Sequence, residues 1–103
     1  ADAGADVLFA PGLRSKEEIA MVVKAVAPKP LNVVLGPGSA GMTVTQLGDL
    51  GVKRISLGSS LARVAYGAFL KGAQEISEKG TFTFAADAVA YSWFNDLFSN
   101  SAG

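Results

Sequence analysis

The sequence predicts an α/β fold made of parallel βα repeats. Three short apolar runs, each ended by a glycine-containing turn, have the length of buried strands. The runs contain Val7, Leu31 and Ile55, so they recur every 24 residues, and each interval has room for a helix. Strands that are apolar on both faces and separated by helices form a parallel sheet covered by helices, with right-handed crossovers.

The first βα unit begins with a strand over residues 6–10, which Pro11 and Gly12 end. Ser15 is followed three residues later by Glu18, and this spacing predicts a capping box at the start of a helix. Pro28 prevents the helix from continuing. The face that the helix buries consists of apolar residues at helical spacing, Ile19, Val22, Val23 and Val26.

The second unit begins with a strand over residues 31–35, which the glycine-rich segment 36–41 ends. Thr43 and Gln46 form a second capping pair, so they predict the start of a short helix. Gly51 is placed to stop that helix.

The third strand is predicted over residues 54–57, and segment 58–60 leads into a long helix that ends before Gly80. The residues expected to face inward on that helix are Leu61, Val64, Ala65, Ala68, Gly72 and Ile76. A final helix of about 15 residues is expected next, from the helical spacing of its apolar side chains. Those side chains are Phe84, Ala88, Tyr91, Phe94 and Phe98.

The composition excludes several classes of function. The chain has 103 residues, with 9 basic and 9 acidic side chains and neither cysteine nor histidine. A net charge of zero gives no footprint for nucleic acid, and without Cys or His there is no disulfide framework, zinc site or Ser-His-Asp triad. No apolar run approaches the roughly 20 residues of a membrane span, and from its acidic opening, residues 1–4, we do not expect a signal peptide. The expected location is the cytoplasm, with no nucleic-acid or membrane partner.

The low charge predicts contact with another chain. Charged residues make up 17% of the sequence, against about 25% in typical domains. Three parallel strands also leave two open edges, which invite pairing. We therefore expect a homo-oligomer, or pairing with the rest of a barrel. Since the chain does not begin with Met, either its N-terminus is processed or it is a piece of something longer.

A (β/α)₈ TIM barrel uses eight such units over about 250 residues, so three units fit its C-terminal part. The predicted organisation is a partial barrel over residues 1–83, with the last three βα units, followed by C-terminal helices in a tail over residues 84–103. Ligands of parallel α/β proteins bind at the carboxyl ends of the strands, so the loops there hold the candidate site.

Two polar residues stand out near these strand ends. Asn32 lies inside an apolar strand, so it is either a hydrogen-bonded core residue or a ligand contact. Arg63 falls in the first turn of the long helix, where the helix dipole disfavours a cation. Either it meets an anionic partner, or it is simply solvated.

Two loops suggest phosphate binding but have simpler explanations. Segment 36–41 resembles a phosphate-cradling loop without the ending of a P-loop, and a flexible connection is the favoured explanation. Segment 58–60 offers a helix N-terminus to an anion, but an ordinary serine cap also accounts for it. The alternatives to an enzyme fragment are thus a small α/β phosphate- or nucleotide-binding module and a structural assembly subunit.

Four segments together carry a family resemblance. They are residues 3–15 (AGADVLFAPGLRS), 30–33 (PLNV), 50–52 (LGV) and 60–63 (SLAR). In this combination the chain resembles the C-terminal part of the isocitrate lyase/phosphoenolpyruvate mutase superfamily, closest to its 2-methylisocitrate lyase-like and phosphonomutase-like members.

The resemblance implies a (β/α)₈ barrel that binds Mg²⁺ and acts on C–C or P–C bonds beside a 2-oxo acid, through a pyruvate enolate. The three strands would be the sixth, seventh and eighth. Asn32 matches an asparagine that contacts the substrate carboxylate, and Arg63 matches an arginine that reaches the substrate in the lyases. Gly12 and Ser60, after the first and third strands, complete the predicted substrate-binding set.

The resemblance assigns the metal ligands and the catalytic loop to the first strands of the family's barrel. No catalytic or metal-binding residue is therefore expected in this chain, Mg²⁺ would belong to the full-length protein, and the isolated chain should be inactive. Pro11 replaces the family's substrate-binding glutamate and Phe94 a tail arginine. We therefore expect a small carboxylate or phosphonate substrate rather than a tricarboxylate. The resemblance further implies that the tail is exchanged between subunits.

Overall fold

The computed structural model describes residues 1–39 and 41–101. It contains three strands and four α-helices, with a short 3₁₀ turn at Pro37–Ser39 and another at Thr83–Asp87. In chain order the elements are β1 (Leu8–Phe9), α1 (Lys16–Val26), β2 (Leu31–Val34), α2 (Val44–Asp49), β3 (Arg54–Ser56), α3 (Ser60–Lys79) and α4 (Tyr91–Ser101).

The three strands form one parallel sheet in the order β1-β2-β3. Leu8 pairs with Leu31, and Val33 pairs with Ile55, so the 24-residue period of the sequence sets the pairing of these neighbours to within two residues. The predicted α/β class with parallel βα repeats is confirmed, as part of a barrel and without closure into one.

Both predicted capping boxes are present. The Glu18 backbone N–H donates to Ser15 Oγ at 3.1 Å, and the Glu18 carboxylate accepts from the Ser15 N–H at 3.4 Å. At the start of α2, the Gln46 N–H donates to Thr43 Oγ1 at 3.1 Å, and the Thr43 N–H donates to the Gln46 side chain at the same distance. Each pair satisfies N–H groups that a helix start leaves open. These boxes fix where α1 and α2 begin.

The core lies on one face of the sheet. Leu31 and Val33 alternate along β2 with Asn32 and Val34, and side chains on a strand point alternately to opposite faces. Leu31 and Val33 thus belong to the face that α1 and α2 cover. The buried apolar core consists of Ile19, Leu31, Val33, Leu47 and Val52. The opposite face of β2 carries Asn32, which is also buried.

The chain divides into two compact units, residues 1–63 and 64–103. The first contains the sheet, α1 and α2. The second contains most of α3 together with the 3₁₀ turn and α4. The sequence analysis divides the chain differently, into a barrel portion over 1–83 and a tail over 84–103. This division refers to the complete barrel and stays a prediction. Residues 102 and 103 of that tail lie outside the described residues.

The single final helix predicted from Phe84 onwards is wrong. Residues 83–87 form a 3₁₀ turn, Ala88 is extended, and α4 begins only at Tyr91. The Thr83 N–H and hydroxyl both donate to the Glu75 carboxylate on α3, and the Phe84 ring packs against Gly72. These tertiary contacts hold the turn against α3 in a conformation that helical spacing does not reveal.

The predicted inward face of α3 is buried only at Gly72. Leu61 and Val64 on the same face are 69% and 70% exposed. Gly72 is buried because the Phe84 ring packs against it. Among the described residues, no side chain buries Leu61 or Val64 to a similar extent. Within the described part of the chain, no helix has both the length and the apolar character needed to cross a membrane.

Candidate functional site

A polar cluster occupies the sheet face that α1 and α2 leave uncovered. Arg54 Nε donates to Asn32 Oδ1 at 3.0 Å, and Asn32 Nδ2 donates to Ser56 Oγ at 3.0 Å. Asn32 pairs with Arg54 in the sheet register, and Ser56 follows two residues later on the same face. We call these three residues the sheet-face cluster.

Asn32 is the buried centre of the sheet-face cluster, with only 3% of its surface exposed. A buried amide without partners costs free energy, and here both its oxygen and its nitrogen are hydrogen-bonded. The structure therefore supports the hydrogen-bonded interpretation of Asn32. It also places Asn32 two residues before the end of β2, with Ser56 nearer to the carboxyl edge.

Arg54 and Ser56 are members of the site that the sequence analysis missed. The sequence contains only part of the signal: both residues lie in the predicted third strand, and Arg54 is a charged residue at its first position. Aligning that strand with the second one at the common 24-residue period would have set Ser56 beside Asn32. The actual register is shifted by two residues, which makes Arg54 the direct neighbour.

Ser60 lies at the carboxyl ends of β2 and β3. Its hydroxyl donates to the Leu35 carbonyl at 3.2 Å, and its N–H donates to the Leu57 carbonyl at 3.0 Å. The Leu35 N–H in turn donates to the Ser56 carbonyl at 2.8 Å. Ser60 therefore links the start of α3 to the residues that follow β2 and β3 by donating hydrogen bonds. It is not a cap whose side chain accepts a hydrogen bond from the helix backbone.

The glycine-rich loop after β2 is closed by Ser39. The buried Ser39 hydroxyl accepts from the Gly36 N–H at 3.1 Å, and the Ser39 N–H donates to the Gly36 carbonyl at 3.0 Å. Because the Gly36 amide is occupied, it is not presented to a phosphate. The predicted loop also includes Ala40, which lies outside the described residues.

Gly12 and Arg63 are not hydrogen-bonded to the sheet-face cluster within the described residues. Gly12 has a positive φ of 91° in the turn after β1, where an L side chain would be strained. It lines a shallow groove beside α1 with Glu18 and Met21. Arg63 lies in the first turn of α3 with an exposed side chain. The structure thus joins Asn32 to Arg54 and Ser56 by hydrogen bonds, and among the described residues it does not join Gly12 or Arg63 to them in this way.

The cluster is not built as a metal site. Its side chains are an amide, a hydroxyl and a guanidinium, and Mg²⁺ favours carboxylate and other oxygen ligands. Among residues 1–39 and 41–101, no three acidic, His or Cys side chains lie close enough together to hold a metal ion. These residues do not fit Mg²⁺.

A parallel sheet built from βα repeats, with helices packed on one face, fits part of a (β/α)₈ barrel. The family model described as phosphoenolpyruvate phosphomutase matches residues 1–77, and the chain belongs to this family. The predicted resemblance to the phosphoenolpyruvate mutase/isocitrate lyase superfamily is confirmed, and homologues in it are lyases and mutases.

Two solved structures show the likeness in three dimensions. A protein of Burkholderia cenocepacia J2315, assigned as a lyase or mutase, is 49% identical with a TM-score of 0.88, over 95% of this chain and 35% of that one. An oxaloacetate acetylhydrolase in complex with the inhibitor 3,3-difluorooxalacetate is 27% identical with a TM-score of 0.78. That match covers 98% of this chain and 35% of the acetylhydrolase.

A curated relative is an uncharacterized protein of Mycobacterium tuberculosis (strain H37Rv). It is 41% identical over 58 residues, which are 56% of this chain and 21% of the relative. The chain therefore spans about a fifth of this relative and about a third of each of the two solved structures.

Proposed function

We propose that the chain supplies the last three βα units of a Mg²⁺-dependent lyase or phosphonomutase-like enzyme. The reaction is cleavage or formation of a C–C or P–C bond in a 2-oxo acid-related substrate, through a pyruvate enolate. Support comes from the family match over residues 1–77 and from the 49% identity to a protein assigned as a lyase or mutase. The acetylhydrolase complex adds a relative that holds a fluorinated 2-oxo dicarboxylate.

The sheet-face cluster is the observation that carries the proposal. Carboxylate and phosphonate oxygens accept hydrogen bonds, and the cluster combines a cation with amide and hydroxyl donors. Its position on the face that the core helices do not cover fits the interior of a barrel, where ligands bind at the strand ends. In the proposal Asn32 and Ser56 bind and orient a small acid, Arg54 holds the Asn32 amide in place, and the isolated chain does no chemistry.

The other predicted substrate-binding residues remain part of the proposal. The position of Ser60 at the carboxyl ends of β2 and β3 supports its inclusion, although its hydroxyl proton is already donated to Leu35. Arg63 follows within one turn of the same helix and brings a cation. Gly12 lies in the turn after β1, which is the corresponding loop of the first unit.

Magnesium, when bound, stabilises the negative charge of an enolate. The proposal assigns its ligands to residues outside this chain, because the described residues do not fit the ion. It also includes association of this chain with further barrel units or with a second copy, which would cover the open sheet edges.

The test is an assay of the complete protein with Mg²⁺ for release of a 2-oxo acid from small 2-hydroxy acids, 2-oxo acids and phosphonates. In Asn32→Asp, the new carboxylate still accepts from Arg54, but it also accepts the Ser56 proton and repels an acid substrate. We expect kcat/KM to fall by about tenfold or more, as for a lost charge-assisted hydrogen bond.

The matched control is Gln74→Glu, which makes the same amide-to-carboxylate change at an exposed position of α3. Its kcat/KM should stay within about twofold of the natural protein, as for surface substitutions in general. Equal activity of Asn32→Asp and Gln74→Glu would contradict a role for Asn32, and inactivity against the whole panel would contradict the proposed reaction.

The phosphate-binding module has less support. Its two loops use their backbone groups internally, since the Gly36 N–H donates to Ser39 and the Ser60 N–H donates to Leu57. A rise in melting temperature with inorganic phosphate or a nucleotide, and none with small acids, would favour that module over the enzyme.

A further inference from the structure

The direction of the hydrogen bonds in the sheet-face cluster determines what Ser56 can offer to a ligand. Ser56 Oγ accepts from Asn32 Nδ2, so its own proton is not used in that bond. Among the described residues, no acceptor is bonded to that proton. Ser56 is also the last residue of β3, at the carboxyl edge of the sheet. Its hydroxyl is therefore a free donor at the edge where ligands of such sheets bind.

This direction depends on Arg54. A side-chain amide can present either its oxygen or its nitrogen to a neighbour, and only the surrounding partners decide which. Arg54 Nε can only donate, so it fixes Oδ1 of Asn32 toward itself and leaves Nδ2 for Ser56. Since a guanidinium has no acceptor atom and stays charged, it cannot tolerate the reversed amide.

We propose that Arg54 is a positioning residue that acts through Asn32 to make Ser56 a hydrogen-bond donor to an acid ligand. The ligand group is a carboxylate or phosphonate oxygen at the carboxyl ends of β2 and β3. This inference rests on the proposed function, and it names Arg54 as the residue that makes the site prefer a ligand group that accepts a hydrogen bond. Arg54 itself lies at the first position of β3, at the opposite edge of the strand from the ligand.

Loss of the Arg54 donor removes the constraint on the amide. Asn32 can then turn its oxygen toward Ser56, and the Ser56 proton is donated inward to Asn32. The hydroxyl oxygen that remains outward is an acceptor, which repels an acid oxygen and accepts from an amide. The preference of the site between an acid and an amide ligand should therefore change, beyond any general loss of affinity.

Calorimetric titration of the complete protein with oxalate and with oxamate, with Mg²⁺ present, measures this preference. Oxamate replaces one carboxylate oxygen of oxalate with an amide nitrogen that donates. We expect the ratio of oxalate to oxamate affinity to fall by about tenfold in Arg54→Met, as for one hydrogen bond to a charged group. Arg54→Lys, which keeps a donor, should restore most of the ratio. Lys24→Met, which removes an exposed cation from α1, should leave it unchanged.

Ser56→Ala tests the same relay without touching the Arg54–Asn32 pair, so the proposal remains testable if Arg54→Met does not fold. It should lower the ratio of oxalate to oxamate affinity about as much as Arg54→Met does. The double variant should lower the ratio little further, because both changes remove the same donor, the Ser56 hydroxyl. Ser77→Ala, an exposed serine of α3, is the control.

Two results would overturn the inference in distinguishable ways. Tight oxalate binding with an unchanged ratio in folded Arg54→Met or in Ser56→Ala would overturn the relay alone. Absence of binding of both acids by the natural protein would overturn the proposed function together with the relay.

Discussion

Gly51 shows how a single residue determines where a helix ends. It follows α2 with a positive φ of 99°, and a Cβ at this position would lie 2.8 Å from Val23 Cγ1 on α1. We expect Gly51→Ala to lower the free energy of unfolding by about 1–3 kcal/mol, because strained backbone and a close contact add. Urea denaturation measures the change.

Gly48 is the matched control for that substitution. It lies inside α2, where an added Cβ meets no heavy atom within 4 Å. Alanine is the better helix former by up to about 1 kcal/mol, so Gly48→Ala should be neutral or stabilising. If both variants lost the same stability, the conformation assigned to Gly51 would be wrong.

At the same scale, the sheet-face cluster was predictable only in part. Asn32 is conspicuous because an amide inside an apolar strand must find partners, and this much follows from the sequence. The partner Arg54 depends on the register between two strands, which the pattern of each strand alone does not contain. A charged residue at the start of a short strand is also common at a solvated end, so its role was not evident.

At the scale of the elements, the two capping boxes are the clearest local signals of where a helix begins. Ser15→Ala or Thr43→Ala removes a side-chain oxygen that accepts from a backbone N–H at a helix start. Each should lower the free energy of unfolding by about 1 kcal/mol. Thr45→Ala, at an exposed position inside α2, should change it by less than about 0.5 kcal/mol. Denaturant unfolding measures the three variants side by side. Equal losses in the free energy of unfolding for Ser15→Ala, Thr43→Ala and Thr45→Ala would contradict the role of the caps.

The bond between α3 and the following turn should make stability depend on acid. The Thr83 hydroxyl bonded to the Glu75 carboxylate is the main cause that lowers the pKa of Glu75 below its ordinary value. A carboxyl whose pKa is lower in the folded state stabilises the protein above its unfolded pKa, and this contribution is lost as the pH falls through the folded pKa.

When the pH is lowered from neutral to below the ordinary pKa of glutamate, the melting temperature of the natural protein should therefore fall. The melting temperature of Glu75→Gln should fall by less over the same range. Glu78→Gln, an exposed glutamate of the same helix, is the control and should follow the natural protein. Parallel curves for Glu75→Gln and the natural protein would contradict the role of this bond.

The elements were predictable where the signal is local and not where it is tertiary. Proline, glycine and capping residues act within a few positions, so α1 and α2 begin where the sequence indicates. The break before Tyr91 depends on Glu75 and Gly72, which lie on a different helix. The apolar spacing from Phe84 to Phe98 is compatible with one helix, but residues 83–87 form a 3₁₀ turn that contacts α3.

On the scale of the whole molecule, exposed apolar side chains predict association. Leu61, Val64 and Phe69 are each about 70% exposed, and burying such apolar side chains against a partner is favourable. Sedimentation of the chain at micromolar concentration should give a mass that rises with concentration. A monomer at all concentrations would contradict the proposed association with a second copy or with further barrel units.

The parallel sheet of the chain followed from one number, the 24-residue spacing of its apolar runs, because the crossover between parallel strands is usually a helix. The complete substrate site does not follow from this chain in the same way. Solved relatives are about three times longer, and in barrels of this kind catalytic residues come from the ends of several strands.

The account is tested most directly by a crystal structure of the complete protein with oxalate bound. It predicts an oxalate oxygen about 2.7 Å from Ser56 Oγ, with Asn32 still bonded to Arg54 behind it. Oxalate bound elsewhere, or oxalate oxygens that all lie more than about 3.5 Å from Ser56 Oγ, would contradict it.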